Sequence, residues 1–375
     1  MAGGTSEFRG EQTERETRQE AEQATARGTE QETERGRAAT QPTQLGARGF
    51  RDVAARLKRD VKRDDVSLLA AGVAFYAMLA LVPALVALVS VYGLVADPND
   101  IRRNVDDVLS AAPREVRALV RSQLSAIVDS SSSGLRLGAL AGIAVALWSA
   151  SAGVKNLMTA INRAYHEEET RGFVRLRGTA LLLTIALLVL GMAGLAGLVI
   201  WPQTLGSSGA EGVLRTTALI VRWPLAALVL VTGLAILYRF APDRDWPRWT
   251  WASAGAIVAT VVWLAASVGF SIYAANFGKY NETYGALGAI VVVMLWLYIG
   301  AYAVILGAEL NGELEHQTAR DTTRGRPEPM GARDAYVADT LGETAGQVKS
   351  GRPRRRGLLD RLRQRRQRPH RARRA

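Results

Sequence analysis

The sequence predicts an all-α polytopic membrane protein with six transmembrane helices, an extracytoplasmic amphipathic helical segment and disordered polar tails. Hydrophobic residues make up 48% of the 375 residues, and they are concentrated in long uncharged runs rather than spread along the chain. About 20 apolar residues span the hydrocarbon of a bilayer as a helix, and about 18 without charge suffice for a candidate. A soluble core does not explain runs of this length and density.

Each predicted span rests on one such run. The third, for example, contains LLLTIALLVLGMAGLAGLVIW, which lacks the turn residues that would separate short strands. The fourth run is broken only by Arg222, and the run at 137–154 is the shortest of the set. The predicted spans cover about 67–96, 135–156, 178–202, 216–240, 249–275 and 284–310.

The distribution of Lys and Arg predicts the orientation, because basic connections stay in the cytoplasm. Basic residues cluster before the first span, between the second and third, between the fourth and fifth, and after the last. The other connections have few basic residues or balance them with acidic ones. Both termini are therefore predicted to be cytoplasmic, with the first span acting as an uncleaved signal anchor.

Polar segments flank the predicted transmembrane domain, which covers residues 48–317. Residues 1–47 and 318–375 contain little apolar surface and are predicted to be disordered. Residues 349–375 hold one Lys and twelve Arg against one Asp. This Arg-rich cytoplasmic tail is expected to bind anionic lipid head groups. No specific nucleic-acid partner is expected, because no aromatic residue follows Tyr336 to stack on a base.

The long connection after the first span is predicted to be extracytoplasmic. Between residues 99 and 129 its apolar residues recur at helical spacing, and Pro113 suits the first turn of a second helix. We expect two amphipathic helices that lie in the interface or over the outer mouth of the bundle.

The sequence predicts no catalytic, cofactor or metal site. With no cysteine, thiol nucleophiles and Cys-ligated metals are excluded. His166 in HEEE and His316 after GELE lack the two-His spacing of a zinc helix. The favoured interpretation of the HEEE segment is a solvated charge cluster. No serine nucleophile elbow and no phosphate-binding glycine loop occur, so the protein is not expected to be an enzyme.

The polar segment GAELNGELEH, residues 307–316, closes the last apolar run. Glu309 and Glu313 share a helix face and repel each other near a helix C-terminus, so a basic residue is expected to face them. Lys155 is the first candidate, whereas Glu315 lies off this face and is expected to matter little. An ion-pair latch is favoured, and a proton or substrate site on Glu309 is the alternative. The candidate polar or structural residues are Glu309, Asn311, Glu313, Lys155, Arg163 and Pro83, the last as a predicted kink.

Three segments together resemble the YihY/BrkB family of bacterial inner-membrane proteins. They are DDVSLLAAGVAFYAMLALVPALVAL at 64–88, LWSASAGVKNLMTAINRAY at 147–165 and YGALGAIVVVMLWLYIGAYAVILGAELNGELE at 284–315. The likeness covers roughly residues 56–315. It implies six helices in the inner membrane and an unsettled biochemical activity. The old family label, ribonuclease BN, is not supported by the residues of this chain.

Functions of three classes are consistent with these features. Transport or export of a lipid-like or amphiphilic substrate is favoured, because the spans contain few charges and bulky ions would meet an apolar path. A non-catalytic envelope scaffold is the alternative, and an enzyme ranks last. The sequence leaves homo-oligomerisation open.

Overall fold

A computed structural model of the chain describes residues 30, 32–95, 133–195, 213–277 and 281–350. Within these ranges the regular secondary structure is helical, apart from an isolated antiparallel bridge between Pro247 and Thr323. The helices are α1 Ala47–Arg63, α2 Val66–Val95, α3 Ser133–Ala164, α4 Phe173–Leu195, α5 Val213–Phe240, α6 Trp249–Phe277, α7 Asn281–Glu315, α8 Tyr336–Asp339 and α9 Ala345–Ser350, with a 3-10 turn at Pro42–Gln44 before α1. The predicted all-α class is confirmed.

Helices α2 to α7 lie over the six predicted spans. Among the described residues, three segments are long and apolar enough to cross a membrane: Phe173–Gly194, Trp249–Tyr273 and Ile290–Glu315. A fourth results if α1 and Val66–Leu81, which meet at 61°, form one broken span. Six transmembrane helices therefore remain a prediction. Pro83 lies inside α2, and the kink predicted there stays a prediction.

The long helices pack as neighbours: α2 against α3 and α7, α6 against α5 and α7, and α4 against α3 and α5. Each is apolar around most of its circumference, so many apolar side chains remain on the outer surface, as expected for helices that face lipid. The largest buried cluster of the described residues lies between α3, α4, α5 and α6, where they meet α7. Its bulkiest members are Met158, Ile161, Tyr165 and Tyr238.

Two glycines let α6 and α7 approach closely. A methyl group added at Gly255 would collide with the carbonyl of Gly307 and the side chain of Asn311. One added at Gly307 would collide with the hydroxyl of Tyr238, which donates a 2.7 Å hydrogen bond to the Val304 carbonyl. Small residues at helix contacts are how membrane helices bring their backbones together.

Helix α1 differs from the apolar helices because it is amphipathic and rich in charge. Asp52, Arg56 and Asp60 recur every four residues and are all buried. This spacing places them on one face, and that face packs against α7 and α9. At the junction of α1 and α2, Asp65 takes a left-handed backbone conformation with φ 49°.

The predicted disorder of the tails is wrong for residues 32–46 and 318–350. Arg37 donates a 2.8 Å hydrogen bond to the Gly342 carbonyl, and Thr318 donates one of 2.6 Å to the Ala39 carbonyl. The buried Arg333 donates to several carbonyls of its own segment. Arginine donors thus order polar segments that have little apolar surface to bury. Residues 1–29, 31 and 351–375, and the predicted amphipathic segment at 99–129, lie outside the described residues.

Candidate functional site

The final turns of α7 bury an unusual number of polar side chains. Glu309, Asn311, Glu313 and Glu315 are each at most 2% exposed. Burying a charge costs several kcal/mol unless it is paired and hydrogen-bonded. The partners of these residues therefore show which of them stabilise the fold.

Arg56 of α1 is the partner of Glu313. It is 1% exposed, and its Nε donates to the Glu313 carboxylate. Its Nη2 donates to the Glu313 carbonyl at 2.9 Å, and its Nη1 to the Glu343 carbonyl at 2.7 Å. Charge-assisted hydrogen bonds of this kind are about twice as strong as neutral ones. One guanidinium group therefore joins α1, α7 and the C-terminal segment.

Arg244, in the connection between α5 and α6, is the partner of Glu315. Its Nη1 and Nη2 donate to the two carboxylate oxygens at 3.1 and 2.7 Å, which is bidentate geometry. The Thr322 hydroxyl donates to the same carboxylate at 2.5 Å, and the Arg244 guanidinium lies 5.1 Å from the centre of the Tyr165 ring. Arg56, Glu313, Arg244 and Glu315 are called the α7 network below. The expectation that Glu315 matters little is wrong, because that side chain is completely buried and paired.

Asn311 joins α7 to α6 through the amide of its side chain. Its Oδ1 accepts a 2.6 Å hydrogen bond from the Gly255 backbone, and its Nδ2 donates to the Ala252 carbonyl at 3.1 Å. Carbonyls inside a helix are already paired, so the second bond is shared with the helix ladder. The amide fits only because residue 255 has no side chain.

Glu309 differs from the other carboxylates of α7. It is 0% exposed, and among the described residues neither of its carboxylate oxygens has a hydrogen-bond partner. Asp60, Asp64 and Glu313 act on it as nearby negative charges, with Arg63 as a positive one. The predicted pairing of Glu309 with Lys155 is wrong, because the Lys155 side chain lies in a separate groove between α3 and α4.

Arg163, another candidate polar residue from the sequence, lies beside the junction of α1 and α2. Its Nε lies 3.7 Å from Asp64 Oδ1, and the Arg163 side chain is largely exposed. Arg63 approaches the other oxygen of Asp64 at 3.0 Å. Pairs exposed to this extent typically contribute about 0–1 kcal/mol. The strong ion pairs at the end of α7 therefore come from Arg56 and Arg244 instead.

His166 is packed against other side chains rather than solvated, so the predicted interpretation of its segment is wrong at this residue. Its ring contacts Arg63 and lies 6.1 Å from the ring of His316 and 5.6 Å from that of Tyr336, measured between centroids. Burial and the charge of Arg63 lower the pKa of His166 to about 4. The neighbouring Glu167 accepts a 2.7 Å hydrogen bond from the Tyr336 backbone.

The chemistry available at this end of the molecule is proton and ion-pair chemistry. In the ranges that the structure describes, no three His, Asp or Glu side chains converge as metal ligands. The buried arginines were missed at the sequence level, although the four-residue repeat of Asp52, Arg56 and Asp60 signals a charged buried face. Arg244 has no comparable signal, because it lies in a short connection.

Comparison with known proteins agrees with the resemblance seen in the sequence. The chain matches the family model described as virulence factor BrkB over residues 57–331. It is 31% identical over 250 residues to the ribonuclease-like protein YfkH of Bacillus subtilis, covering 65% of this chain and 88% of that protein. A UPF0761 membrane protein of Tolumonas auensis is 28% identical over 275 residues, covering 72% of this chain and 87% of the relative. No solved structure matches the chain.

The matched region begins inside α1, one residue after Arg56, and ends beyond α7, so it includes Arg244, Glu313 and Glu315 of the α7 network. It covers more than half of the chain, and the predicted family resemblance is confirmed. The protein is therefore a membrane protein of the virulence factor BrkB family.

Proposed function

We propose that this protein is a multi-pass transporter of the bacterial inner membrane that moves or exports a lipid-like or amphiphilic substrate, with proton binding at Glu309. The proposed topology has six transmembrane helices and both termini in the cytoplasm. It is supported by the helices over all six apolar runs and by the basic residues in alternate connections. In this topology the α7 network faces the cytoplasm.

Glu309 is the observation that carries the proposal. An ionised carboxylate that is fully buried without a partner costs several kcal/mol, so this environment favours the protonated acid. A purely structural carboxylate would be paired, as Glu313 and Glu315 are. Ionisable residues in membrane segments are often parts of proton relays. Entry of water at this end of the bundle would let Glu309 release its proton.

The charged residues around Glu309 suggest how its ionisation could move α1 relative to α7. Ionisation would add a negative charge that Asp60 and Asp64, at the end of α1 and at its junction with α2, repel, and that Arg63 attracts. Repulsion would favour movement of the 61° junction away from α7. A proton on Glu309 would favour the packed arrangement. The protonation state is therefore coupled to one bend of the backbone.

The apolar length of the helices supports an amphiphilic substrate. The long runs of α2, α4 and α6 carry no charge between their ends, so a small hydrophilic ion would find no polar path along them. An amphiphile could instead keep its apolar part against the outer surfaces of these helices. Only its head group would then have to cross.

Flux in proteoliposomes tests the proposal. The probe is a phospholipid with a fluorescent head group, and a membrane-impermeant quencher measures its exchange between leaflets with and without a pH gradient. The parent protein should accelerate exchange, and the gradient should change the rate. Glu309→Gln, which cannot release a proton, should lose the dependence on the gradient.

Glu168→Gln is the matched control for this assay, because it makes the same substitution at an exposed glutamate. It should behave as the parent does. The proposal is abandoned if the parent gives no flux, or if Glu309→Gln keeps the full response to the gradient.

An envelope scaffold is the alternative function, favoured by the arginines that hold the polar segments: Arg37 binds the Gly342 carbonyl, and Arg56 of the α7 network binds the Glu343 carbonyl. A scaffold would give no flux, and Glu309→Gln would leave its phenotype intact.

In either case we propose that the Arg-rich residues 352–374 attract anionic head groups. Nuclease activity forms no part of the proposal, and an assay with purified protein should give none.

A further inference from the structure

A groove of about 250 Å³ lies between α3 and α4 and shares no residue with the α7 network. Three of its lining residues are aromatic or apolar and two are basic: Trp148, Phe173 and Leu176, with Lys155 and Arg177. Lys155 comes from α3 and Arg177 from the second turn of α4. The groove therefore places two cations from neighbouring helices at one point of the outer surface.

Neither cation is neutralised within the described part of the chain. The described ion pairs near these helices join Arg163 and His166 to Asp64, and Arg171 to Glu169 and Asp243. None involves Lys155 or Arg177. Two positive charges without a carboxylate between them repel each other. An anion in the groove would relieve this repulsion.

Arg177 is also held by Trp148 and, within the described residues, has an unpaired hydrogen-bond donor. Its guanidinium lies over the Trp148 ring, 4.1 Å from the ring centre, and its Nη2 donates to the Trp148 carbonyl at 2.5 Å. Its Nε is buried and has no hydrogen-bond partner among the described residues. A planar guanidinium with unused donors is suited to the oxygens of a phosphate.

The rim of the groove is apolar and exposed. Trp148 is 48% exposed and Phe173 is 70% exposed. Tryptophan is enriched at the level of lipid head groups, where one end of its ring is apolar and the other is wet. A free phosphate ion would satisfy the cations and leave this rim uncovered. A phospholipid would neutralise the cations and also cover the apolar rim.

We infer that the groove binds the phosphate of an anionic phospholipid between Lys155 and Arg177, with an acyl chain that runs from there along Trp148 toward the centre of the bilayer. The lipid is a bound component on the outer surface of the protein, not the transported substrate. The inference is therefore independent of the proposed function. It also concerns a site distinct from the Arg-rich residues 352–374.

Thermal unfolding of the full-length protein in mild detergent tests the inference, with native mass spectrometry to count bound lipids. Phosphatidylglycerol should raise the melting temperature and remain bound, whereas phosphatidylcholine should do neither. Lys155→Gln and Arg177→Gln should each lose most of the phosphatidylglycerol shift. Arg177→Lys keeps the charge but loses the stacked, forked geometry, and should retain part of it.

Arg175→Gln is the matched control. It removes the same charge from the same helix, but residues two apart do not share a helix face, and Arg175 does not line the groove. It should keep the full shift, and all the basic residues of 352–374 remain in every variant. An equal loss in Arg175→Gln would overturn the inference in favour of non-specific attraction.

A separate arm distinguishes the source of the phosphate. Inorganic phosphate at millimolar concentration, in detergent stripped of lipid, should give little stabilisation because it leaves the apolar rim exposed. If it matches phosphatidylglycerol, the groove is an anion site and the lipid assignment is wrong. If Lys155→Gln or Arg177→Gln is poorly folded by circular dichroism, Lys155→Arg must still retain the lipid shift, and its loss there would also overturn the inference.

Discussion

Two kinds of carboxylate lie within two turns of α7. Glu313 and Glu315 are buried with arginines supplied by α1 and by the connection between α5 and α6. Glu309 is buried equally well and has no hydrogen-bond partner in the described structure. The chemical group and the helix are the same, so the difference lies in the neighbours. Paired carboxylates of this kind stabilise an arrangement, whereas the unpaired one can exchange a proton at smaller cost to the fold.

Arg244→Met is the change expected to have the largest effect, and it tests whether the paired carboxylates stabilise the fold. It leaves the Glu315 carboxylate buried without its partner, and a pair broken in this way typically costs about 3–5 kcal/mol. Thermal unfolding in detergent should show a large loss of stability. Adding Glu315→Met should recover much of it, because two apolar residues of similar size replace the pair.

Arg48→Gln is the control for that change. Arg48 pairs with Glu34 at 2.6 Å, but both side chains are at least half exposed. Its removal should cost less than about 1 kcal/mol. Equal effects of Arg244→Met and Arg48→Gln would show that burial does not distinguish these pairs.

The close contact of α6 and α7 gives the next largest effect. Gly255→Ala places a methyl group against the Gly307 carbonyl and the amide of Asn311. Overpacking of this kind typically costs about 1–3 kcal/mol, and here two hydrogen bonds of Asn311 are also disturbed. Gly269→Ala, in the same helix with open space around it, should be neutral or slightly stabilising. The difference in melting temperature between the two variants measures the contact.

The lowered pKa of His166 predicts that the stability of the fold depends on pH. Its pKa is lowered to about 4 by burial and by Arg63, whereas an unfolded histidine has a pKa of about 6.5. Between these values the unfolded chain binds the proton and the folded chain does not, so stability falls as pH falls from about 6.5 to 4. The loss should reach about 3 kcal/mol at pH 4.

His166→Asn should flatten the pH profile of the melting temperature, because asparagine does not titrate there. Asparagine also tolerates the left-handed backbone of this residue, whose φ is 56°. An unchanged slope in His166→Asn would assign the acid sensitivity to other groups.

Glu309→Gln should have the smallest effect on stability, within about 1 kcal/mol of the parent. No hydrogen bond is lost with the carboxylate, and the amide has nearly the same volume. The measurement is thermal unfolding of the same preparation that is used for flux. A large destabilisation would show that Glu309 has a partner after all and belongs with Glu313 and Glu315.

Much of the architecture could be predicted from the sequence because hydrophobic length determines it. Uncharged runs near 20 residues leave few alternatives to helices, and helices occur over each of the six runs. The order of residues 318–350 could not be predicted in this way. It depends on arginine side chains that bind distant backbone carbonyls, as Arg37 binds Gly342, and such contacts leave no apolar pattern.

Part of the candidate site was also predictable. The spacing of Glu309 and Glu313 indicates a buried acidic face that needs neutralisation. The sequence does not show which basic residue neutralises this face, because many helix ends with basic residues lie at the same depth in the membrane. Lys155 and Arg56 are both expected near the cytoplasmic surface of the membrane. Only the packing of α1 against α7 brings Arg56 to Glu313.

The bond between Arg56 and Glu313 also sets an order of events during synthesis. The two residues are 257 positions apart in the chain. At about 5–20 residues per second, a ribosome needs roughly 10–50 s to make the second after the first. During that interval α1 has emerged with its charged face unsatisfied, while the next apolar segments are already entering the bilayer. Its docking is therefore a late step that waits for translation to pass α7, and a chain stopped before that point would leave α1 as an undocked helix open to proteolysis.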